Sequence, residues 1–132
     1  MKLSHMTFIV RDLSRSTEIF TEIFAAKEVY SSKEKQYSLF PEKFFLIDDL
    51  WVALMEDQQA KLPKTYNHIA FEITTEQIPL YKEKLHQLDL KIEEGRSRVS
   101  GEGESIYFYD DDDHLFELHA GNLADRLKKY EE

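Results

Sequence analysis

Residues 66–73 read YNHIAFEI and residues 3–10 read LSHMTFIV, so that His68 and His5 stand at the third position of two similar stretches. A second match follows, because residues 113–119 read DHLFELH where residues 49–55 read DLWVALM. This alignment puts Glu117 opposite Ala53. An internal repeat determines the fold more strongly than any local feature. The sequence therefore predicts a single domain, residues 1–132, made of two copies at about 1–57 and 65–120.

Three side chains of this repeat have the residue types of a metal site. His5 and His68 occupy equivalent positions, and Glu117 is the one acidic residue in the apolar run LFEL at 115–118. A carboxylate on the buried face of a strand is costly unless a positive group pairs with it. Two histidines and one carboxylate suit borderline divalent metals and leave coordination positions open. The repeat therefore predicts an open metal site, although either histidine alone would indicate only a hydrogen-bonded core residue.

The composition indicates an ordinary globular chain. Its residues are 42% hydrophobic, which is enough for a core, and it contains no cysteine. Disulfides, thiolate metal ligands and a cysteine nucleophile are thereby excluded. A formal net charge of −9 argues against nucleic acid or an anionic membrane as a partner. Without an apolar run of membrane length or a secretory signal, the expected location is the cytoplasm.

The hydrophobic periodicity predicts an α+β fold of two paired βαβββ modules. In the first copy, Asp12 and Ser14 are candidate caps for the helix that carries Phe20, Ile23 and Phe24. Strands are predicted at 3–10, 28–32, 36–40, 44–47 and 50–56. The second copy predicts strands at 65–73, 90–94, 105–109 and 114–119 and a helix at 75–88, with Pro79 in its first turn. A final helix at 122–130, capped by Asn122, carries an apolar stripe expected to serve in packing.

Two charged segments lie outside this pattern. Arg96 and Arg98 flank a segment rich in glycine, and Arg126 falls in the final helix. These arginines could form a local cationic pocket for a phosphate-like group, or they could be solvated surface charges. The run of four aspartates at 110–113 lacks the glycine and the distal glutamate of an EF-hand loop. We therefore expect residues 110–113 to form a solvated hairpin turn.

A βαβββ repeat with a histidine on the first strand of each copy and a glutamate on the last resembles the vicinal oxygen chelate superfamily. The stretches YNHIAF (66–71), GEGESIYF (101–108) and FELHAG (116–121), followed by Arg126 and Leu127, resemble the fosfomycin resistance proteins over essentially the whole chain. The segment EKFFLI (42–47) before Leu50 and Trp51 is similar to the FosX branch. Members of that branch open the epoxide of fosfomycin with water rather than with a thiol.

The resemblance implies a set of roles that the residues alone do not establish. His5, His68 and Glu117 would bind Mn(II), with other divalent metals as alternatives, and a homodimer would share each active site between subunits. Glu42 would be the general base that activates water for attack at the epoxide carbon. Trp51 matches an aromatic residue that lines the pocket, or is a core residue. The groups implied to hold the phosphonate are Thr7, Arg98, Ser105, Tyr107 and Arg126, with Arg96 as the alternative to Arg98.

Three other functions remain open from the sequence. A thiol transferase of the same fold would act on fosfomycin with glutathione or bacillithiol. The two-histidine, one-carboxylate triad also fits a non-haem iron oxygenase, against which the arginines and the glycine-rich segment speak. The least favoured alternative is a metal-free module that binds and sequesters a ligand.

Overall fold

The computed structural model describes residues 1–33, 35–96 and 98–132, which form two compact units, Met1–Leu62 and Pro63–Glu132. In each unit a strand is followed by a helix and three further strands, and a last helix ends the second unit. This succession is the predicted βαβββ repeat. The α+β class is confirmed.

The first unit contains β1 (His5–Val10), α1 (Leu13–Phe24), β2 (Lys27–Ser31), β3 (Glu42–Ile47) and β4 (Leu50–Glu56). Its sheet has the order β1-β4-β3-β2, with β1 parallel to β4 and the other pairs antiparallel. The predicted cap Asp12 accepts a hydrogen bond from the Arg15 amide at 3.1 Å, and α1 ends where Ala25 turns left-handed at φ 51°.

The apolar stripe of α1 covers one face of this sheet. Ile19, Phe20 and Ile23 are almost fully buried, as are Phe45 and Leu54 on the strands. The opposite face carries His5, Thr7 and Glu42, because alternate residues of a strand point to opposite sides. The core of this unit therefore lies between α1 and one face of the sheet, and the predicted site residues lie on the other face.

The second unit repeats this arrangement with β5 (His68–Glu72), α2 (Ile78–Gln87), β6 (Ile92–Glu93), β7 (Glu104–Tyr109) and β8 (Leu115–Ala120). Its sheet has the order β5-β8-β7-β6, again with only the first pair parallel. A 3-10 turn, Thr75–Gln77, leads into α2, and Pro79 lies in the first turn as predicted. The last helix, α3 (Leu123–Tyr130), begins after Asn122, whose side chain accepts from the Asp125 amide at 2.8 Å.

The strand registers confirm the alignment on which the repeat was based. Thr7 pairs with Ala53 across β1 and β4, and Ala70 pairs with Glu117 across β5 and β8. His5 lies opposite Trp51, and His68 lies opposite Leu115. Ala53 and Glu117 thus hold the same place in two copies of one scaffold.

Three local predictions are wrong. Residues 36–40 form no strand, and β3 begins at Glu42 rather than at residue 44. The turn at 110–113 is only partly solvated, because Asp110 and Asp112 are buried; one Asp110 oxygen, Oδ1, accepts from the amides of Asp112 and His114. The α3 stripe of Leu123, Leu127 and Tyr130 is exposed in this chain, so that its expected use in packing stays a prediction. Of the helices described, none has the length and apolar character needed to cross a membrane.

Candidate metal centre

Parallel pairing of β5 with β8 brings two predicted metal ligands together. His68 Nε2 lies 3.2 Å from Glu117 Oε1. The other ring nitrogen, Nδ1, is 2.8 Å from the carbonyl oxygen of Tyr66 and must donate to it, since a carbonyl only accepts. In the neutral ring, Nε2 and Oε1 are two lone-pair atoms at close range, an arrangement that a cation between them stabilises. This donor set fits a divalent metal, with the histidine oriented through its second nitrogen as metal ligands usually are.

The second oxygen of Glu117 is held by groups of the protein. Ser105 Oγ donates to Oε2, and Arg98 Nη2 lies 3.0 Å from it. Burial to 5% exposure opposes ionisation, but hydrogen bonds from Ser105 and Tyr107 and the charge of Arg98 outweigh it and lower the Glu117 pKa. Glu117 is therefore an ionised carboxylate whose Oε2 is anchored by protein groups, while Oε1 lies next to His68 Nε2.

A chain of hydrogen bonds connects α3 to this carboxylate through His119. Arg126 Nη2 lies 3.2 Å from His119 Nε2, which must accept because a guanidinium only donates. Nδ1 then carries the proton and donates to Ser105 Oγ at 2.7 Å, and the Ser105 hydroxyl donates onward to Glu117. Burial is the largest cause that lowers the His119 pKa, and this favours the neutral ring that the chain requires.

The third predicted ligand, His5, lies in the first unit. His5 is exposed at the start of β1, and its ring stacks on Trp51 with centroids 4.1 Å apart. Ser4 Oγ lies 3.0 Å from Nδ1, so that Nε2 is the nitrogen available as a ligand atom. Thr7 is exposed two residues along the same face of β1. Trp51 is part of the face that carries His5 rather than of the core under α1.

Glu42 is the most unusual carboxylate of the first unit. It is 3% exposed at the start of β3, where Ser38 Oγ donates to Oε1 at 2.8 Å and Ser32 Oγ accepts from the Glu42 amide at 3.0 Å. Its other oxygen, Oε2, is buried and accepts no hydrogen bond from any residue in the described ranges. A buried carboxylate oxygen without a donor is unfavourable in a folded protein and marks a site for another hydrogen-bonding group.

The three arginines of the second unit take different places. Arg98 reaches Glu117 and also donates to the Tyr107 hydroxyl at 2.8 Å, whereas Arg96 binds Glu102 and the Tyr130 hydroxyl. Arg126 helps line an open cavity of about 380 Å³ whose wall includes His68, Glu117 and His119. Arg98 therefore contacts a predicted metal ligand, and Arg96 contacts Glu102 and Tyr130.

Ser105 and Tyr107, which the family resemblance implies as phosphonate contacts, make their hydrogen bonds to protein groups. Both hydroxyls bind Glu117, and Ser105 also accepts from His119. Burial, followed by the charge of Glu117, raises the Tyr107 pKa to about 12. Each hydroxyl carries one proton and gives it to Glu117, so that both act here as supports of the ligand carboxylate.

Two residues of this site were missed from the sequence. His119 follows Glu117 by two positions on a strand, and this spacing alone places both side chains on one face. Glu102 is an acidic residue of a segment that also carries Arg96 and Arg98, and an opposite charge at that spacing is a signal for an ion pair. Both residues connect α3 to the predicted ligand set.

The sequence profile of the glyoxalase/bleomycin resistance protein/dioxygenase superfamily matches residues 2–118. The fosfomycin resistance protein FosX of Listeria innocua is 53% identical over 128 residues, which cover 97% of this chain and 96% of the relative. The chain belongs to the FosX family of this superfamily. A second FosX protein, from Mesorhizobium japonicum, is 54% identical over 96% of this chain and 91% of its own length.

Solved structures of the FosX family share the fold closely. A FosX mutant from Listeria monocytogenes, crystallised with Mn(II) and 1S,2S-dihydroxypropylphosphonic acid, superposes with a TM-score of 0.87 at 50% identity over 98% of this chain and 97% of that chain. More distant relatives include a metallothiol transferase FosB of Bacillus licheniformis, 36% identical over 98% of this chain and 81% of its own length. The FosB relative is named a metallothiol transferase, whereas the FosX mutant was crystallised with a diol.

Proposed function

We propose that this protein is a metal-dependent fosfomycin resistance enzyme that opens the epoxide of fosfomycin with water. The observation that carries the proposal is Glu42, a buried carboxylate with one hydrogen-bonded oxygen and one buried oxygen without a donor. The FosX structure that holds a dihydroxypropylphosphonic acid supports the choice of water, because a vicinal diol is what hydration of an epoxide yields, whereas a thiol would leave a thioether.

His5, His68 and Glu117 would hold the metal, for which we propose Mn(II) because FosX structures contain it. A bound divalent cation supplies a Lewis acid for the epoxide oxygen, so that less negative charge develops on it as the ring opens. The chain itself supplies the ligand orientation. Tyr66 fixes the His68 ring, and Ser105 and Arg98 fix the Glu117 carboxylate.

Glu42 would act on the water. Oε1 is fixed by Ser38, and Oε2 is the atom that takes a proton from a water molecule. The new bond joins the water oxygen to the epoxide carbon, and the ring carbon–oxygen bond breaks. The released oxygen takes one proton from solvent, and Glu42 gives its proton back to solvent. The sum is one epoxide plus one water giving one diol. General-base assistance of this kind contributes about 10²- to 10⁴-fold to the rate.

The phosphonate would be held by cations and hydroxyls on both units. Arg98 and Arg126 supply the charge in the second unit, since guanidinium groups match the geometry of phosphonate oxygens. Thr7 supplies an exposed hydroxyl beside His5 in the first unit. Ser105 and Tyr107 would contribute mainly through Glu117, which both of them support.

We further propose that the two units act as one domain and that the enzyme is a homodimer with shared active sites. The support is that the proposed site residues are divided between the two units. The first unit carries His5 and the proposed base Glu42, and the second carries His68 and the proposed ligand Glu117. A mixture of His5→Ala and Glu117→Ala proteins tests this proposal. If sites are shared, the mixed dimers regain activity in a fraction of their sites, which neither variant shows alone.

The proposed reaction is tested by phosphorus NMR of fosfomycin incubated with purified protein and Mn(II) in the absence of any thiol. We expect the diol to accumulate and to carry one ¹⁸O atom when the solvent is H₂¹⁸O. A His68→Ala variant and a sample treated with a chelator are the matched controls, and both should leave the epoxide intact. A product that forms only after glutathione or bacillithiol is added would replace hydration with thiol transfer.

A further inference from the structure

Glu102 lies among Arg96, Arg98 and Arg126 and has no role in the proposed reaction. It is 1% exposed, although its segment lies at the surface between Gly101 and Gly103. Gly103 has φ 96°, and a Cβ at this position would overlap the carbonyl oxygen of Ala120 at the end of β8. Glycine therefore allows the backbone to pass close to β8 and to turn the Glu102 side chain inward.

The Glu102 carboxylate connects two parts of the second unit. Oε1 accepts hydrogen bonds from Arg96 and from the Tyr130 hydroxyl, with Arg98 Nη1 at 3.4 Å and Arg126 Nε at 3.9 Å. Oε2 accepts from the Val99 amide at 3.1 Å. Arg96, Arg98 and Val99 belong to the connection before β7, whereas Arg126 and Tyr130 belong to α3. One buried carboxylate thus joins the connection to the helix.

We infer that Glu102 is a positioning residue that holds Arg98 and Arg126 in the orientation needed to bind a phosphonate. This inference rests on the proposed function. Arg98 is held at both ends, with Nη1 toward Glu102 and Nη2 on Glu117 and Tyr107. Arg126 is held by an ion pair and a hydrogen bond, with Nε 3.9 Å from Glu102 and Nη2 on His119. Fixing both guanidinium groups before the ligand arrives reduces the entropy lost on binding.

The negative charge of Glu102, taken alone, would weaken phosphonate binding instead of supporting it. Its pKa falls to about 2, because Arg96 and Tyr130 donate hydrogen bonds to it, so that it is an anion at neutral pH. An anion among three arginines lowers the positive potential that attracts a phosphonate. If Glu102 only neutralised charge, its removal would tighten phosphonate binding. If it positions the arginines, its removal weakens binding in spite of the gain in positive potential.

Titration of methylphosphonate into the Mn(II)-loaded protein by calorimetry distinguishes these effects. Glu102→Gln keeps the shape and removes the charge, and we expect the dissociation constant to rise roughly 10-fold or more, as expected for loss of a charge-assisted hydrogen bond. Glu102→Asp keeps the charge but is one methylene shorter, and it should also weaken binding. Glu104→Gln makes the same change at an exposed position of β7 and should leave the affinity unchanged.

Tyr130→Phe tests the same contact without altering any charge. It removes one hydrogen bond to Glu102, and we expect weaker methylphosphonate binding by a few-fold with an unchanged unfolding midpoint. If Glu102→Gln fails to fold, the affinity of Tyr130→Phe for methylphosphonate tests the positioning role in its place. Equal or tighter binding by Glu102→Gln, or unchanged binding by Tyr130→Phe where Glu102→Gln does not fold, would overturn the inference.

The same titration separates this inference from the proposed function, because methylphosphonate has no epoxide to open. Wild-type protein that binds methylphosphonate but does not hydrate fosfomycin would contradict the reaction and still test Glu102. Wild-type protein that binds no methylphosphonate would overturn the positioning role itself. With fosfomycin as substrate, the positioning role predicts that Glu102→Gln raises KM more than it lowers kcat.

Discussion

Replacing Glu42 with glutamine separates the chemistry of this residue from its contribution to the fold. The glutamine side chain would keep a carbonyl oxygen for the hydrogen bond from Ser38, and the backbone bond to Ser32 is independent of the side chain. The oxygen that accepts no hydrogen bond would become an amide nitrogen that cannot take a proton from water. We expect kcat for hydration to fall by about 10²- to 10⁴-fold, which corresponds to about 3–5 kcal/mol of activation free energy.

The same substitution should leave the free energy of unfolding within about 1 kcal/mol of wild type. Leaving one oxygen of a buried carboxylate without a donor costs about 1–3 kcal/mol, whereas a neutral amide is less costly to bury even though its own N–H groups then need partners. These terms largely cancel. Activity would be followed by phosphorus NMR without thiol, and stability by urea unfolding.

Glu28→Gln is the matched control for this experiment. Glu28 pairs with Lys43 at 2.8 Å on the surface of the same sheet, where such a pair contributes at most about 1 kcal/mol. This variant should keep full activity. The base assignment would be refuted if Glu42→Gln lost less than about tenfold in kcat, and it would be unsupported if activity and the unfolding midpoint fell in parallel.

Three further predictions concern the second unit. Ser105→Ala removes a donor from Glu117 Oε2, so that Mn(II) affinity measured by electron paramagnetic resonance should fall about 10- to 100-fold, with the exposed Thr65→Ala as control. His68→Ala should abolish stoichiometric Mn(II) binding, and retention of one ion per site would exclude His68 as a ligand. Because the Glu102 pKa is depressed from 4.5 to about 2, its stabilising effect is present above pH 4.5 and is lost as the pH falls toward 2. The stability difference between wild type and Glu102→Gln, measured by urea unfolding, should therefore shrink over that range.

The repeat was predictable because two pairs of stretches resemble each other in sequence. That similarity matched His5 to His68 and Ala53 to Glu117, and the observed strand registers agree with it. The helix caps Asp12 and Asn122 were also predictable, since a side-chain oxygen before an apolar stripe satisfies the first amides of a helix.

The failures share a different cause, which is tertiary contact. The stretch at 36–40 contains tyrosine, leucine and phenylalanine, yet it forms no strand; Ser38 from this stretch binds Glu42 instead. The buried state of Asp110 depends on amides that only the folded turn brings within reach. Likewise, Glu102 could be seen as an acid near arginines, but its burial follows from the passage of Gly103 over β8.

The registers also explain how one duplicated scaffold carries two carboxylates of different character. Across β3 and β4, Glu42 pairs with Met55 and Phe44 pairs with Ala53. Across β7 and β8, Ser105 pairs with His119 and Tyr107 pairs with Glu117. Glu42 therefore occupies in the first copy the place of Ser105 in the second. The buried acid on the face of the predicted site residues lies on β3 in the first copy and on β8 in the second.

The neighbours of these two acids differ in a way that suits the two proposed roles. Glu117 receives hydrogen bonds from Ser105 and Tyr107 and the charge of Arg98, which lower its pKa and keep it ionised as a ligand. In the first copy the residue that replaces Tyr107 is Phe44, which has no donor to offer, and Glu42 retains one oxygen without a hydrogen bond from the described residues. Hydrogen bonds to the ionised form of a carboxylate keep it charged. Ser and Tyr beside one acid and Phe beside the other would thus separate the two proposed roles, metal binding and proton transfer, on a common fold.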